Sequence, residues 1–431
     1  MVKLSILSSS ILLLLGCASA LPTFSDLQQL AADELAPLYH SPEAEAISDS
    51  YIVVLKDHVD ANQVQSHCHW VRSLHKREAL ADFLDADMAA GIRYTYDIPG
   101  LKGYSGKFSQ DVLHRIRSSP EVAYVERDTM MYASELQRNA PWGLSRISHR
   151  QPLSLWTYHK YGYDENGGEG IKVYVIDTGI NVEHNDFEGR AEWGATFADD
   201  GDYDGNGHGS HVAGTIAGKR FGVAKRANPV AVKVLSAQGS GSNSEVLAGI
   251  SWAIEQHEMD AKEAKKAGKK YKGAVANMSL GGGKSRILDQ AVNNAVEAGM
   301  VFAVAAGNDN RDACRYSPAA AEKAITVGAT SLLDSRAYFS NYGSCVDVFA
   351  PGQDIQSVWI GGRDRTNTIS GTSMASPHVA GLAAYYLSLE DGDNVDPQKI
   401  KDKIIETSTR DVLLNIPKDT PNLLIFNGYE A

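Results

Sequence analysis

The sequence has no excess of basic residues and, after Ala20, no apolar run long enough to span a bilayer. Its 41 lysine and arginine residues are outnumbered by 53 acidic ones, which gives a formal net charge of -12. A nucleic-acid binder needs a basic surface that neutralises phosphates, so this balance argues against a nucleic-acid partner. A membrane partner is not expected either, because a spanning helix needs about 20 apolar residues.

The apolar run that does occur, at residues 4–15, has the flanks of a secretory signal. Lys3 precedes it, and Ala18-Ser19-Ala20 is a cleavage site of the A-x-A type. The alternative is a bacterial lipoprotein signal around Cys17, which Leu15 fits poorly. We expect a signal peptide at residues 1–20, a poorly ordered leader at 21–50, and a soluble mature protein in the secretory pathway.

Cysteine is scarce, with 4 residues in the chain. Cys17 would leave with the signal peptide, and Cys68 lies in the N-terminal region. Only Cys314 and Cys345 remain in the main domain. In an oxidising compartment their pairing is the simplest outcome, and two buried free thiols are the alternative.

Residues 51–133 have the pattern of a small α+β domain. Apolar periodicity predicts strands and helices in the order βαββαβ, with a turn at Pro99-Gly100 between the two middle strands. The predicted elements are strand 51–56, helix 64–84, strands 92–96 and 104–108, helix 110–117 and strand 122–126. This order is the split βαβ arrangement, which alone indicates no function.

The remainder, residues 134–431, alternates short apolar runs with helical stretches. Strands are predicted at 171–176, 230–235, 274–280, 301–306, 325–329 and 346–349, and helices at 208–219, 245–257, 287–298 and 373–389. The runs lack polar alternation, so the fold class is α/β, with a mostly parallel sheet and helices on both faces. Functional sites in such folds lie at the carboxyl ends of strands.

A lysine-rich stretch at residues 258–272 interrupts this pattern. Its few apolar residues predict a solvated surface helix or loop. A partner-binding patch is the alternative, and only charge supports it.

Two stretches place a carboxylate and an imidazole at element ends. Asp177 follows the apolar run Val173-Tyr-Val-Ile, where it could orient a histidine or simply cap a helix. His208 lies between Gly207 and Gly209 at a helix start, and a neutral imidazole suits a general base. Sharing of a metal between His208 and His211 is disfavoured, because no third ligand accompanies them.

Two further stretches place a side-chain amide after a predicted strand and a hydroxyl at the start of a predicted helix. Asn308 follows a strand and Gly307, where it is either a turn residue or an oxyanion donor. Ser373 lies in Gly371-Thr-Ser-Met-Ala-Ser-Pro-His-Val-Ala-Gly381, at the start of a helix. There it is either a helix cap or a nucleophile beside unpaired backbone N–H groups.

Several competing motifs fail on inspection. A second Asp-Thr-Gly, needed for a paired-carboxylate protease, is absent, and so is a Gly-x-Ser-x-Gly elbow. The EF-hand-like start at Asp202 lacks its bidentate glutamate, since position 213 is alanine. Lys284 ends a P-loop-like run in which Met278 replaces the leading glycine. The sequon at Asn277 lies in a predicted buried strand, so we expect it to be unmodified.

Taken together, the order Asp177, His208, Asn308, Ser373 is far more specific than any member alone. Asp, His and Ser follow one another in this order in subtilisin. From Ala140 to Gly428 the chain resembles the subtilisin-like serine proteases of the proteinase K branch, and is most similar to fungal vacuolar, cerevisin-like members.

The resemblance implies a role for each matching residue. Ser373 would be the nucleophile, His208 the general base, and Asp177 the support of the imidazolium, with Asn308 and the Ser373 N–H as oxyanion donors. The implied substrate-binding segments are Gly239, Ser240 and Gly241, then Ser279, Leu280 and Gly281, and then Ala305, Ala306 and Gly307.

The resemblance also implies accessory features. Residues 51–133 look like an inhibitory propeptide, released by autocatalytic cleavage between Met130 and Leu136. Asp347 matches a calcium-ligating carboxylate, with the carbonyls of Glu322 and Ala324 as companions. Cys314 and Cys345 match a pair seen in cerevisin-like relatives. No cofactor is required for the chemistry.

We therefore expect a serine endopeptidase of broad specificity that cleaves proteins and peptides. It would be made as a zymogen whose own propeptide is an intramolecular inhibitor, and it would act as a monomer. The alternative is a catalytically silent binding protein with the same fold. A vacuolar location is favoured by the resemblance, and secretion to the medium is the alternative.

Overall fold

The chain divides between Tyr132 and Ala133 into two compact units. The computed structural model describes residues 35–40, 46–81, 91–98, 101–129 and 134–429. The predicted signal peptide and the Pro99-Gly100 turn lie outside these residues. Within them, no helix has both the length and the apolarity needed to cross a membrane.

The first unit is a five-stranded sheet with two helices. Its elements are β1 Leu38–Tyr39, β2 Ala46–Leu55, α1 Ala61–Ala81, β3 Ile92–Ile98, β4 Leu101–Lys107, α2 Gln110–Arg117 and β5 Val122–Thr129. The strand order is β1-β5-β2-β4-β3, with β1 parallel to β5 and the other neighbours antiparallel. Apolar residues such as Val53, Val71, Tyr104 and Ile116 form its core.

Part of the predicted leader is ordered and belongs to this sheet. Leu38 and Tyr39 pair with Val125 and Glu126, and β2 begins at Ala46 rather than Tyr51. The backbone N–H of Ala36 also donates to the Arg117 carbonyl. The prediction of a poorly ordered leader is wrong for these residues, because a two-residue edge strand has too little periodicity to read.

The described part of the second unit contains 15 strands, nine of which form its main sheet, while the other six form three two-stranded sheets. Its strands are β6 Ser134–Arg138, β7 Lys160–Asp164, β8 Lys172–Asp177, β9 Glu192–Thr196, β10 Asn228–Lys233, β11 Ala274–Met278, β12 Gly282–Gly283, β13 Met300–Ala305, β14 Tyr316–Ser317, β15 Ile325–Thr330, β16 Val348–Pro351, β17 Ile355–Val358, β18 Thr366–Ile369, β19 Thr409–Arg410 and β20 Leu423–Leu424. Its helices are α3 Trp142–Ile147, α4 His208–Ala217, α5 Asn243–Lys266, α6 Arg286–Glu297, α7 Thr372–Leu389 and α8 Pro397–Thr407. The order of the main sheet is β19-β20-β16-β15-β13-β11-β8-β10-β9.

All neighbours in this sheet are parallel except β19 and β20, so the predicted mostly parallel α/β class is confirmed. Successive side chains of β8 point to opposite faces of the sheet, so they pack into two different hydrophobic cores. Val173 and Val175 pack with apolar residues of α4 and α7, whereas Tyr174 and Ile176 pack with those of α5 and α6. Helices therefore cover both faces, which explains why the strands read as continuous apolar runs.

The lysine-rich stretch continues a helix for most of its length. Helix α5 starts at a capping box, in which the Ser242 hydroxyl accepts from the Glu245 N–H, and it ends at Lys266. Most of the lysines in the stretch are exposed, as expected for a solvated surface segment. The helix is longer than the predicted 245–257 because these lysines are good helix formers.

Candidate active site

Asp177 and His208 meet at the carboxyl end of β8, an interior strand of the main sheet. Asp177 is the last residue of β8 and is fully buried, and His208 is the first residue of α4. His208 Nδ1 lies 2.8 Å from Asp177 Oδ1, which also accepts from the Thr178 N–H at 2.7 Å. Strand and helix can approach this closely because Gly209 has no side chain: a Cβ there would lie 2.1 Å from the Gly179 carbonyl oxygen.

The Asp177 carboxylate changes the acidity of the imidazole. Burial lowers the pKa of His208, but the charge of Asp177 and its hydrogen bond raise it, and the net effect is a raised pKa. The side chain of His208 keeps 25% of its exposure, so a substrate can reach the ring. Asp177 thus fixes the ring and stabilises its protonated form.

Asp204 holds the loop before His208, a role that the sequence did not predict. Its Oδ1 accepts from the Thr178 hydroxyl and from the N–H groups of Asn206 and Gly207. Its Oδ2 accepts from the N–H and the hydroxyl of Ser210. The signal in the sequence is the Asp-rich run from Asp202 to Asn206, whose resemblance to an EF-hand loop does not indicate this role.

His211 contacts the backbone of β17. Its Nε2 lies 2.9 Å from the Ile355 carbonyl oxygen, and burial lowers its pKa to about 4. Within the residues that the structure describes, no group of three or more His, Cys, Asp or Glu side chains could hold a metal ion.

Ser373 is the second residue of α7 and is half-buried. Its hydroxyl donates to the Ser279 carbonyl at 3.1 Å, and the Ser279 hydroxyl donates to the Ser373 carbonyl at 2.8 Å. Ser373 and His208 line the same cleft, but no hydrogen bond joins them among the described residues. Without substrate, catalytic hydrogen bonds are often long and tighten only in the complex.

The amide of Asn308 is oriented by the residue before Ser373. Asn308 Oδ1 accepts from both the N–H and the hydroxyl of Thr372, at 2.8 and 2.9 Å. Because only an oxygen can accept both, Nδ2 remains to donate. A Cβ on Gly371 would lie 3.6 Å from both Asn308 Nδ2 and Ser373 N, so the two predicted oxyanion donors face a common space.

The implied substrate-binding segments line two adjoining depressions. The larger, of about 580 Å³, contains His208, Asn308 and Ser373 together with Gly239, Ser240, Gly241, Ser279, Leu280 and Gly281. The smaller, of about 430 Å³, shares Leu280, Gly281, Asn308 and Ser373 with it and adds Ala305, Ala306, Gly307 and Tyr316. Small residues dominate the lining of the smaller depression, which also includes one aromatic residue, Tyr316, and one carboxylate, Asp309.

Asn277, the sequon residue, is completely buried beneath the site. Its Nδ2 donates to the Ser279 hydroxyl, and its Oδ1 accepts from the Ser376 hydroxyl. The amide is thus part of a buried network that ends at the Ser373 carbonyl.

Cys314 and Cys345 form a disulfide, with Cα atoms 5.3 Å apart. The structure thus has the predicted disulfide and not the alternative of two buried free thiols. Cys68 is a free, buried cysteine of the first unit.

The oxygens expected to bind calcium surround a lysine instead. Lys401 Nζ lies 3.0 Å from Asp347 Oδ1, 3.1 Å from the Glu322 carbonyl oxygen and 2.6 Å from that of Ala324. The expectation of calcium at Asp347 does not fit these residues, because an ammonium already fills the position of the cation.

Comparisons with known proteins agree with this architecture. The profile of the Subtilase family matches residues 168–423, and that of Peptidase inhibitor I9 matches residues 50–134. The subtilisin-like serine protease Pen c 2 of Penicillium citrinum is 54% identical over 91% of this chain and 91% of its own. Alkaline protease 2 of Aspergillus fumigatus is 53% identical over 98% of this chain and 88% of its own.

A solved structure, of a cold-adapted subtilisin-like serine proteinase, is 44% identical and has a TM-score of 0.60, over 67% of this chain and 98% of that one. These relationships, with an inhibitor domain ahead of the protease domain, confirm the predicted serine protease with its propeptide. The chain belongs to the subtilase family of serine proteases.

Proposed function

We propose that the protein is a broad-specificity serine endopeptidase in which Ser373, His208 and Asp177 carry out the chemistry. The observation that supports this most directly is the bond from His208 Nδ1 to Asp177 Oδ1, at the edge of a cleft that also contains Ser373. The reaction is acyl transfer through a covalent intermediate on the serine.

In the first half of the reaction, Ser373 Oγ attacks the scissile carbonyl and His208 Nε2 takes its proton. For this the serine hydroxyl leaves the Ser279 carbonyl, the partner it has without substrate. The oxyanion that forms accepts from Asn308 Nδ2 and the Ser373 N–H. His208 then gives its proton to the leaving amine, and the acyl group stays on Ser373.

In the second half, a water molecule replaces the amine. His208 removes a proton from this water, the hydroxide attacks the acyl carbonyl, and the proton returns to Ser373 Oγ as the acid leaves. The Asp177 carboxylate stabilises the imidazolium in both halves.

We infer that the smaller depression takes the side chain before the scissile bond, and that it favours apolar or aromatic residues. The segment Gly239–Gly241 lines the larger depression, and we infer that its backbone groups not bonded to Ser236 pair with the substrate backbone as an added strand. Profiling of cleavage sites in a peptide library tests this. Preferential cleavage after lysine or arginine would contradict it.

Labelling with a serine-directed fluorophosphonate tests the reaction itself. We expect the processed protein to be labelled at Ser373, and Ser373→Ala to remain unlabelled. A wild-type protein that is folded but neither labelled nor active would instead be a silent binding protein.

The domain limits and the processing belong to the same proposal. We propose a signal peptide at 1–20, followed by a leader whose residues Leu38–Tyr39 and 46–50 join the sheet of the inhibitory domain. The inhibitory domain at 51–133 and the protease domain at 134–431 are supported by the profiles that match 50–134 and 168–423. We propose autocatalytic cleavage between Met130 and Leu136. Expression of Ser373→Ala in a host without related proteases tests this, since a mature N-terminus on that variant would refute self-cleavage.

The lysine-rich stretch before Ala-Asn277-Met-Ser and the pair Cys314 and Cys345 support assignment to the proteinase K branch, near the cerevisin-like members. By that likeness we propose a monomer that resides in a vacuole. N-terminal sequencing of the protein recovered from cell fractions and from the medium tests the location, because recovery of the mature form only in the medium would contradict it.

A further inference from the structure

Lys401 is a buried lysine in the middle of α8. Its side chain keeps 10% of its exposure, and the Asp347 side chain keeps 23%. An ammonium removed from water needs a counter-charge and a partner for each of its three N–H groups. Lys401 has all of these: one carboxylate oxygen and the carbonyl oxygens of Glu322 and Ala324.

The three oxygens come from two separate segments, and the ammonium links both of them to α8. Glu322 and Ala324 lie in the turn between β14 and β15, Asp347 directly precedes β16, and Lys401 lies on α8. Asp347 is itself fixed, because its Oδ2 accepts from the Thr326 N–H at 2.8 Å. These oxygens therefore form a preorganised cation-binding site, and the Lys401 ammonium is the cation that occupies it.

A metal ion and the lysine cannot share this position. Calcium takes six to eight oxygens at about 2.3–2.6 Å, and its charge would repel an ammonium at the same oxygens. The separations of 2.6–3.1 Å around Lys401 Nζ are those of N–H···O hydrogen bonds.

We propose that the Lys401 ammonium replaces a structural metal ion between Asp347 and the turn at 322–324, so that this part of the protease domain is stabilised without calcium. The contacts of Lys401 with Asp347 and the 322–324 turn lie next to the substrate-binding region. The Thr326 hydroxyl donates to the Ala319 carbonyl at 2.9 Å, and Ala319 lines the smaller depression. The lysine therefore braces one wall of that depression.

The wild-type protein allows a direct test by reductive methylation of lysines, mapped by mass spectrometry with and without millimolar calcium. Lys399 is the matched control, because it lies on the same helix with 61% of its side chain exposed. We expect Lys401 to react at least about tenfold more slowly than Lys399, since its modification needs local opening, and calcium to change nothing. Fast reaction of Lys401, or reaction that calcium increases, would overturn the proposal.

A second test counts bound calcium by equilibrium dialysis in the wild type and in Asp347→Asn. We expect the same number of ions per chain in both, because Asp347 binds an ammonium rather than a metal. One ion fewer in Asp347→Asn would show that the carboxylate binds calcium after all. Should this variant fail to fold, the methylation experiment decides the question.

Lys401→Met tests whether these contacts are structural. It keeps the length of the side chain but leaves the carboxylate and two carbonyls without their donor. We expect the midpoint of thermal unfolding to fall by about 5 °C. Lys399→Met should lower it clearly less, because Lys399 is exposed and its partner Glu390 keeps Lys403 as a second cation. Equal midpoints for the two variants would contradict the proposal. None of these measurements depends on catalytic activity, so a failure of the proposed function would be distinguishable.

Discussion

His208 Nδ1 lies 2.8 Å from Oδ1 of Asp177, a carboxylate that is fully buried. This single contact joins the end of β8 to the start of α4 and fixes which ring nitrogen faces the cleft. Asp177 Oδ2 has no hydrogen-bond partner within the described part of the chain. The carboxylate therefore acts mainly on the imidazole and on the Thr178 N–H beside it.

Replacement of the carboxylate by an amide should disable the imidazole. In Asp177→Asn we expect kcat/KM to fall by about 10⁴, the magnitude known for the same change in a serine protease of another fold. The ascending limb of the pH profile should also change. Because Asp177 raises the pKa of His208, the limb should lie above 6.5 in the wild type and move to lower pH in the variant. A limb at the same pH in both would contradict this assignment, provided that the substrate has no group titrating in the range.

The same pair links stability to pH. The pKa of His208 in the folded protein is raised above the ordinary histidine value of about 6.5, so its protonated form is stabilised by folding. This contribution is fully present below about pH 6.5 and is lost as pH rises through the folded pKa. Denaturant unfolding of wild type and Asp177→Asn should show an advantage for the wild type that shrinks as the pH rises above about 6.5. An advantage that grew with pH would refute the direction of the shift.

The oxyanion donor offers a test that separates chemistry from binding. We expect Asn308→Ala to lower kcat by about 10²–10³ with little change in KM, a magnitude taken from the corresponding asparagine of subtilisin itself. Thr372→Val is the matched comparison, since it removes one of the two bonds that orient the amide but keeps the Thr372 N–H. Its kcat should fall by about tenfold or less. A larger loss in Thr372→Val than in Asn308→Ala would contradict the assigned roles.

Asp204 should matter for both stability and turnover. Both of its oxygens accept from donors, so the amide of Asp204→Asn would set an N–H against an N–H or O–H group. We expect a loss of about 1–3 kcal/mol in the free energy of unfolding, and a lower kcat because the loop that positions His208 is loosened. Asp202→Asn, at an exposed position in the same loop, is the control and should change neither. Equal behaviour of the two variants would count against the role of Asp204.

Most of the central sheet could be predicted because its strands are buried on both faces. The predicted run 325–329 became Ile325–Thr330, and 301–306 became Met300–Ala305. The positions of Asp177, at the end of β8, and of Asn308, three residues after the end of β13, could be predicted as well, because polar and glycine residues follow these apolar runs. Two-residue edge strands such as Leu38–Tyr39 were beyond prediction, because their partners and not their composition define them.

Helix α8 was not predicted, although the sequence contains signals for its start. The Asp396 side chain accepts from the Gln398 N–H, and Pro397 occupies the first helical position, both common start signals. The charged residues that follow read as solvent-facing. The burial of Lys401 depends on oxygens 77 and 79 residues away along the chain, and no local pattern encodes such a separation.

The Cys314–Cys345 bridge provides the last test. It closes a loop with a sequence separation of 31 residues, for which the loss of entropy in the unfolded chain predicts a stabilisation of about 3–4 kcal/mol. We expect the free energy of unfolding of the double variant Cys314→Ser/Cys345→Ser to be lower by about 3–4 kcal/mol. Reductant should lower the denaturation midpoint of the wild type but not that of the variant. Because Cys314 lies in the turn before β14, whose Tyr316 lines the smaller depression, KM for bulky apolar substrates should rise as well. An unchanged denaturation midpoint in the double variant would mean that the native packing around these residues, and not the covalent link, holds this segment in place.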